Sequence, residues 1–180
     1  MATVEPLRKI SDIKKVEIIL EKQNYRNLAL FDFGINLGLR ISDLLNLDVK
    51  DVKNKKYIEL TEQKTKKKKK ILINTKLSLI IKNFTQNRAL EEPLFKNSDN
   101  ERLSRVSAYR IINSACKTAN IEVNIGTHTL RKTFGYHHYK KFKDVAMLQK
   151  IFNHSSPEVT LRYIGIEEDE IFESYKNFIL

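Results

Sequence analysis

The spacing of apolar residues divides this chain into helices and one hairpin. In the first third they recur three or four positions apart, first at Val16, Ile19 and Leu20 and then at Leu28, Phe31 and Ile35. That spacing predicts two helices, each burying one face. Asp12 is placed as the cap of the first, because its side chain can accept a bond from the free amides of a first turn. Gly38 breaks the second pattern, and Ser42 is the predicted cap of a short helix holding Leu44, Leu45 and Leu47. From Tyr57 the period drops to two. Tyr57-Ile58-Glu59-Leu60-Thr61 and Ile71-Leu72-Ile73 predict two strands of a hairpin, joined through the lysine-rich stretch from Lys64 to Lys70. Helical spacing returns after Ser104 with Val106, Tyr109 and Ile112, and continues through 128–141 and 145–152. Ser156 followed by Pro157 is a favourable N-cap and N1 pair, so a further helix runs up to Tyr163. A last helix places Ile171, Phe172, Tyr175 and Phe178 on one apolar stripe. This order predicts an α+β domain, mainly helical, with a small antiparallel sheet. No internal repeat or Gly/Ser-rich linker interrupts it, so residues 1–180 read as one domain.

Charge narrows the partners. Lys and Arg number 33 against 22 Asp and Glu, a net charge of +11. The excess is uneven, since residues 167–180 hold five acids and one base and residues 1–166 carry +15. So basic a body attracts polyanions, because each neutralised phosphate releases condensed counterions. Nucleic acid is the partner this favours, beside the plain alternative of a basic protein with no such partner. The single cysteine, Cys116, has no partner for a disulfide within the chain, and its apolar neighbours suggest a buried side chain. No apolar stretch approaches a membrane span and the first residues hold no signal-peptide core, so a cytoplasmic protein with no membrane partner is expected.

Four segments carry candidate chemistry: Gly38-Leu39-Arg40-Ile41-Ser42-Asp43, Gln63-Lys64-Thr65-Lys66, His128-Thr129-Leu130-Arg131, and Phe152-Asn153-His154 leading to Tyr163. In this order, with a histidine nine residues before a tyrosine, they resemble the catalytic domain of the tyrosine recombinases of the phage integrase family. The resemblance runs from about Asp12 to the end. It implies the recombinase fold and a site-specific DNA strand transfer in which Tyr163 forms a 3'-phosphotyrosine and a 5'-hydroxyl leaves. Bond energy is kept in that intermediate, so neither a metal nor another cofactor is implied. The residue types suit the task, because attack on an anionic diester needs positive charge, a nucleophile and a proton donor. Arg40 and Arg131 each offer a planar fork to phosphate oxygens. By resemblance, His154 donates to the phosphate, and Lys64 is the general acid for the 5'-oxygen, with Lys66 the second choice. His128 shares a helix face with Arg131 and either accepts the tyrosine proton or assists the phosphate. Asp43, one turn after Arg40, is expected to hold it in place.

The run Lys66, Lys67, Lys68, Lys69 and Lys70 is expected to grip backbone phosphates beside that acid, against the alternative of a solvated loop. His137 and His138 match no catalytic position and read as structural. Family members commonly have Leu-Gly before the last histidine, where this chain has Phe152-Asn153; Asn tolerates the left-handed conformation, so the turn is expected to survive. The pattern begins almost at Met1, and an N-terminal core-binding domain of the usual kind is not expected, as in the small recombinases that invert fimbrial promoters. DNA affinity then calls for accessory DNA-binding proteins or self-association. Residues 167–180 are expected to dock on a neighbouring subunit in a tetramer on DNA, beside the alternative of a tail packed on its own domain. A type IB topoisomerase and a non-catalytic DNA-binding regulator of a mobile element are the alternatives to the recombinase reading.

Overall fold

The computed structural model describes residues 4–179, apart from the side chains of Glu167, Glu168, Glu170 and Ser174. The helices are α1 (Ile10–Gln23), α2 (Tyr25–Leu37), α3 (Ile41–Leu45), α4 (Thr75–Thr85), α5 (Arg105–Thr118), α6 (Thr129–Phe142), α7 (Val145–Phe152), α8 (Pro157–Ile164) and α9 (Ile166–Asn177). Strands β1 (Tyr57–Thr61) and β2 (Lys68–Leu72) form an antiparallel pair in which Ile58 faces Ile71 and Leu60 faces Lys69. The expected architecture is present: mainly helical, with one small sheet.

Helix α2 is the axis of the domain. Leu30, Phe33 and Leu37 pack with α3, α4 and the hairpin through Leu44, Ile58, Leu77 and Ile81. Phe31 packs on the other side with Val16 and Leu20 of α1 and with Ile112 and Cys116 of α5. A helix apolar on both faces must lie between two layers, and α2 does. Helix α6 crosses it so closely that a Cβ at Gly34 would stand 2.4 Å from Leu130 Cδ1. A third cluster, Tyr136, Leu148, Phe152, Ile164 and Ile166, fastens α7 and α8 to α6. The apolar packing therefore sets two junctions, the end of α2 and the start of α6, side by side.

Several boundaries differ from the sequence expectation. Helix α1 begins after Lys9, so Asp12 lies in its first turn, where it favours the helix dipole without capping it. Arg40, not Ser42, is the N-cap of α3, because its carbonyl already accepts the Asp43 and Leu44 amides. Strand β2 starts inside the lysine run, so only 62–67 form the turn, with Lys66 at φ 56°. Asn74 caps α4 through the Leu77 amide, in a region where the sequence reading placed no element. The caps Ser104 and Ser156 stand as expected.

Candidate active site

Arginine 131 is the fixed point of the site. It is 2% exposed on the first turn of α6. Its Nη1 donates to the Gly38 carbonyl at 2.7 Å and its Nη2 to the Phe152 carbonyl at 2.9 Å, while the guanidinium lies 4.3 Å from the centre of the Phe152 ring. One planar group thus ties the end of α2 to the end of α7, which a single ammonium could not do. Gly38 makes this possible: its φ of 60° closes α2 in the left-handed region and turns its carbonyl toward the arginine. Asn153 performs the same left-handed closure on α7 with φ 55° and ψ 48°, as the sequence reading expected, and His154 follows at once.

Helix α8 brings Tyr163 back over this junction. Its hydroxyl lies 3.1 Å from His128 Nδ1, and its ring centre is 5.0 Å from that of His154. His154 Nδ1 lies 3.1 Å from Thr160 Oγ1. That hydroxyl also donates to the Ser156 carbonyl, so it accepts from the histidine.

The site is strongly positive, and its titrating groups respond. Burial, reinforced by the charges of Arg131 and Arg40, pushes His154 down to about 4. His128 is exposed on one edge, yet loss of hydration on the other, with Arg131, Lys132, Arg40 and Lys64 nearby, lowers it as well. Both imidazoles are therefore neutral near pH 7, and His128 can accept a proton from Tyr163. Burial raises the Tyr163 hydroxyl, while Arg131 and Arg40 oppose that rise.

Arg40 completes the cradle from α3, but its partners differ from expectation. Asp43 lies 3.9 Å from Arg40 Nη1 and accepts the Gln63 amide at 2.9 Å, so it fastens the hairpin more closely than the arginine. The near partner is Glu62, 2.9 Å from the same Nη1 and 2% exposed. The sequence reading missed Glu62, although Ile58, Leu60 and Glu62 alternate onto one inward face of β1 and its continuation. Lys64 is exposed on the turn and lines, with Arg40 and His128, a cleft of about 870 Å³ that extends to Arg105 and Tyr109. It makes no hydrogen bond or ion pair among the described residues.

The lysine run divides. Lys69 departs from the expected phosphate grip: it occupies an inward position opposite Leu60, and its Nζ donates to the Ile151 carbonyl at 2.7 Å. Lys70 pairs with Glu59 at 2.8 Å, and Lys67 with the Asn153 side chain at 2.7 Å. Lys66 and Lys68 stand exposed. Outside the site, His137 is 2.8 Å from the Leu7 carbonyl and His138 packs against Phe134 and Phe142. Among the described residues no group of three or more His, Cys, Asp or Glu is placed to hold a metal ion, and no helix is long and apolar enough to cross a membrane.

A tyrosine backed by two arginines and two neutral histidines, on this helical frame, defines the catalytic domain of a tyrosine recombinase. The model of the phage integrase family matches residues 4–170, and the chain belongs to that family. It is 50% identical over 179 residues to a probable integrase/recombinase, YoeC, of Bacillus subtilis (strain 168), covering 99% of this chain and 98% of that one. Of several further tyrosine recombinases and integrases it spans 50–63% of the length. The crystal structure of XerA recombinase superposes with a TM-score of 0.77 at 18% identity, over 98% of this chain and 66% of that one. A λ integrase tetramer bound to a Holliday junction superposes at 0.73 and 16%, over 91% and 48%.

Proposed function

We propose that this chain is a site-specific DNA recombinase or integrase that cuts and rejoins strands through a phosphotyrosine at Tyr163. The 3.1 Å approach of the Tyr163 hydroxyl to the neutral His128 Nδ1, beside Arg131, carries the reading. Tyr163 Oη attacks the scissile phosphorus as His128 takes its proton, and the 5'-oxygen leaves with a proton from Lys64. Arg40 and Arg131 hold the phosphoryl oxygens, where the charge of the transition state gathers, and His154, neutral without DNA, donates to them from Nε2 once the bound phosphate's charge favours the imidazolium. Attack by a 5'-hydroxyl from another duplex reverses the step and joins the strands, so the bond energy is conserved without ATP. The relatives are recombinases and integrases, which favours strand exchange over the topoisomerase and the non-catalytic regulator. A nicked suicide duplex tests this: Tyr163→Phe should bind it like wild type and form no covalent complex. An adduct that survives this substitution contradicts the reading.

Double-stranded DNA in the cytoplasm is the substrate, with Lys66, Lys67 and Lys68 on its backbone. Replacing these three by Ala should make the fall of log K with log salt shallower, by about 0.9 for each phosphate no longer neutralised. An unchanged slope would return the turn to a solvated loop.

The active form is an oligomer on DNA, a tetramer joined through α9. Ile171 is 50% exposed, Phe172 70% and Tyr175 79%, an apolar stripe that its own domain leaves uncovered. Leu180 and the side chains of Glu167, Glu168, Glu170 and Ser174, also counted in the docking segment, lie outside the described residues. Chains ending at residue 167 should fold yet fail to assemble on DNA. If the shortened chain unfolds, the tail belongs to its own domain. Residues 1–180 then act as one catalytic domain with 167–180 as its docking helix, and accessory DNA-binding proteins remain compatible with this scheme.

A further inference from the structure

Glu62 is a buried acid that nothing in the reaction scheme uses. A carboxylate withdrawn from water is costly unless cations and donors surround it. This one is surrounded on three sides. Oε2 lies 2.9 Å from Arg40 Nη1 and accepts the Thr65 hydroxyl at 2.6 Å, and Oε1 lies 3.6 Å from Lys69 Nζ. Burial alone would raise its pKa, but the bonds from Thr65 and Arg40 and the charges of Lys69 and Arg40 outweigh burial and hold it down. Glu62 is therefore an anion at neutral pH.

Its backbone also closes the turn. The Glu62 amide donates to the Lys67 carbonyl at 3.0 Å, and the Lys66 amide to the Glu62 carbonyl at 2.9 Å. Lys64 lies between these anchors, exposed on a flexible stem. Through Lys69 the same cluster reaches the Ile151 carbonyl, one residue before the carbonyl that Arg131 holds. A general acid must come within hydrogen-bond reach of its oxygen, and a displacement of about 1 Å costs on the order of a hundredfold in rate. What fixes the Lys64 turn relative to Arg40 therefore matters to the chemistry.

We propose that Glu62 is a positioning residue for strand cleavage: its carboxylate, anchored on Arg40, holds through Thr65 the turn carrying Lys64, so that the lysine reaches the phosphate that Arg40 binds. The proposal rests on Lys64 being the general acid of the reaction above. It assigns the clamp to Glu62, with Asp43 fastening the neighbouring Gln63 amide and lying at the longer 3.9 Å from Arg40.

The test compares nicked suicide duplexes whose leaving group is either the normal 5'-oxygen or a bridging 5'-sulfur, which needs little protonation. The intact chain is used as wild type, Lys64→Ala, Glu62→Gln, the double variant and Arg40→Ala. Glu62→Gln should slow cleavage of the oxygen substrate about tenfold to a hundredfold and recover most of that loss with sulfur. The double variant should be no more than about twofold slower than Lys64→Ala, because both substitutions remove one function. Arg40→Ala should fail with both substrates. Glu62→Gln slowing both substrates equally, or neither, overturns the proposal. If sulfur does not rescue Lys64→Ala, the acid assignment fails, and the proposal with it; that result is read in a variant with Glu62 intact. Should Glu62→Gln melt well below wild type, Thr65→Val removes only the hydroxyl bond to Oε2. It should show a smaller loss with the same rescue by sulfur, and its absence overturns the proposal.

Discussion

Two clusters of charge lie within this domain, and they differ in balance. In the scaffold, Lys76 of α4 bonds both Glu17 of α1 and Asp32 of α2, one cation for two acids. In the site, Arg40, Arg131 and Lys69 gather around Glu62 and Asp43, three cations for two acids. The carboxylates report the difference. Burial pushes Asp32 up to about 6 despite Lys76, with Glu17 adding to the rise. Glu62, nearly as buried, is held below its ordinary value. A scaffold cluster ties helices together and is complete in itself. A cluster with surplus positive charge is open to an anion from outside, and on the function proposed above that anion is a DNA phosphate.

The largest expected contrast comes from removing one cation from each cluster. Arg131→Lys should lower cleavage by about a hundredfold or more, because an ammonium cannot bridge the Gly38 and Phe152 carbonyls while presenting a fork to phosphate. Lys76→Met should leave the cleavage rate of the folded enzyme within about twofold, while costing about 2 kcal/mol of stability once the lysine's partial exposure is allowed for. Rates and urea midpoints measured on both variants would break the comparison if Lys76→Met abolished cleavage.

A smaller effect sets the clusters apart in pH. Because the folded pKa of His128 is lowered, its neutral, proton-accepting form persists below the ordinary value of 6.5. The acid limb of single-turnover cleavage should therefore lie below pH 6.5; a limb above pH 7 contradicts the assignment of His128 as base. Asp32 acts in the opposite sense. Its folded pKa is raised, so its contribution to stability is full below the ordinary carboxylate value and is lost as pH rises through about 6. Wild type minus Asp32→Asn, compared by thermal melting from pH 4 to 7, should isolate that loss, and parallel curves would remove it.

Much of the frame was legible because periodicity is local. Val16 and Leu20, Leu30 and Phe33, and the Ser156-Pro157 start of α8 declare their helices within one or two turns of chain. Helix α4 escaped although Leu77, Ile80 and Ile81 have helical spacing, since it follows the second strand almost at once and its cap, Asn74, is equally a turn residue. The lysine run read as uniformly facing DNA because charge along a sequence says nothing of direction, and only pairing with β1 turns Lys69 inward. The candidate residues Arg40, Arg131, His128, His154 and Tyr163 were proposed from ordered motifs, and the fold brings them to one junction. What holds them was not legible in the same way. Glu62 meets Arg40 across 22 residues and Arg131 reaches back 93 to the Gly38 carbonyl, contacts that depend on how α2, α6 and the hairpin stack. A stricter period-two reading of Ile58, Leu60 and Glu62 was the one available signal for the missing acid.

The central claim is that Tyr163 is the nucleophile, and peptide mass mapping of the trapped protein–DNA adduct tests it most directly. After digestion of the complex formed on a nicked suicide duplex, the nucleotide remnant should sit on the peptide containing Tyr163, joined through a 3'-phosphate. A remnant on Tyr139 or Tyr175, or on a 5'-phosphate, would contradict the account.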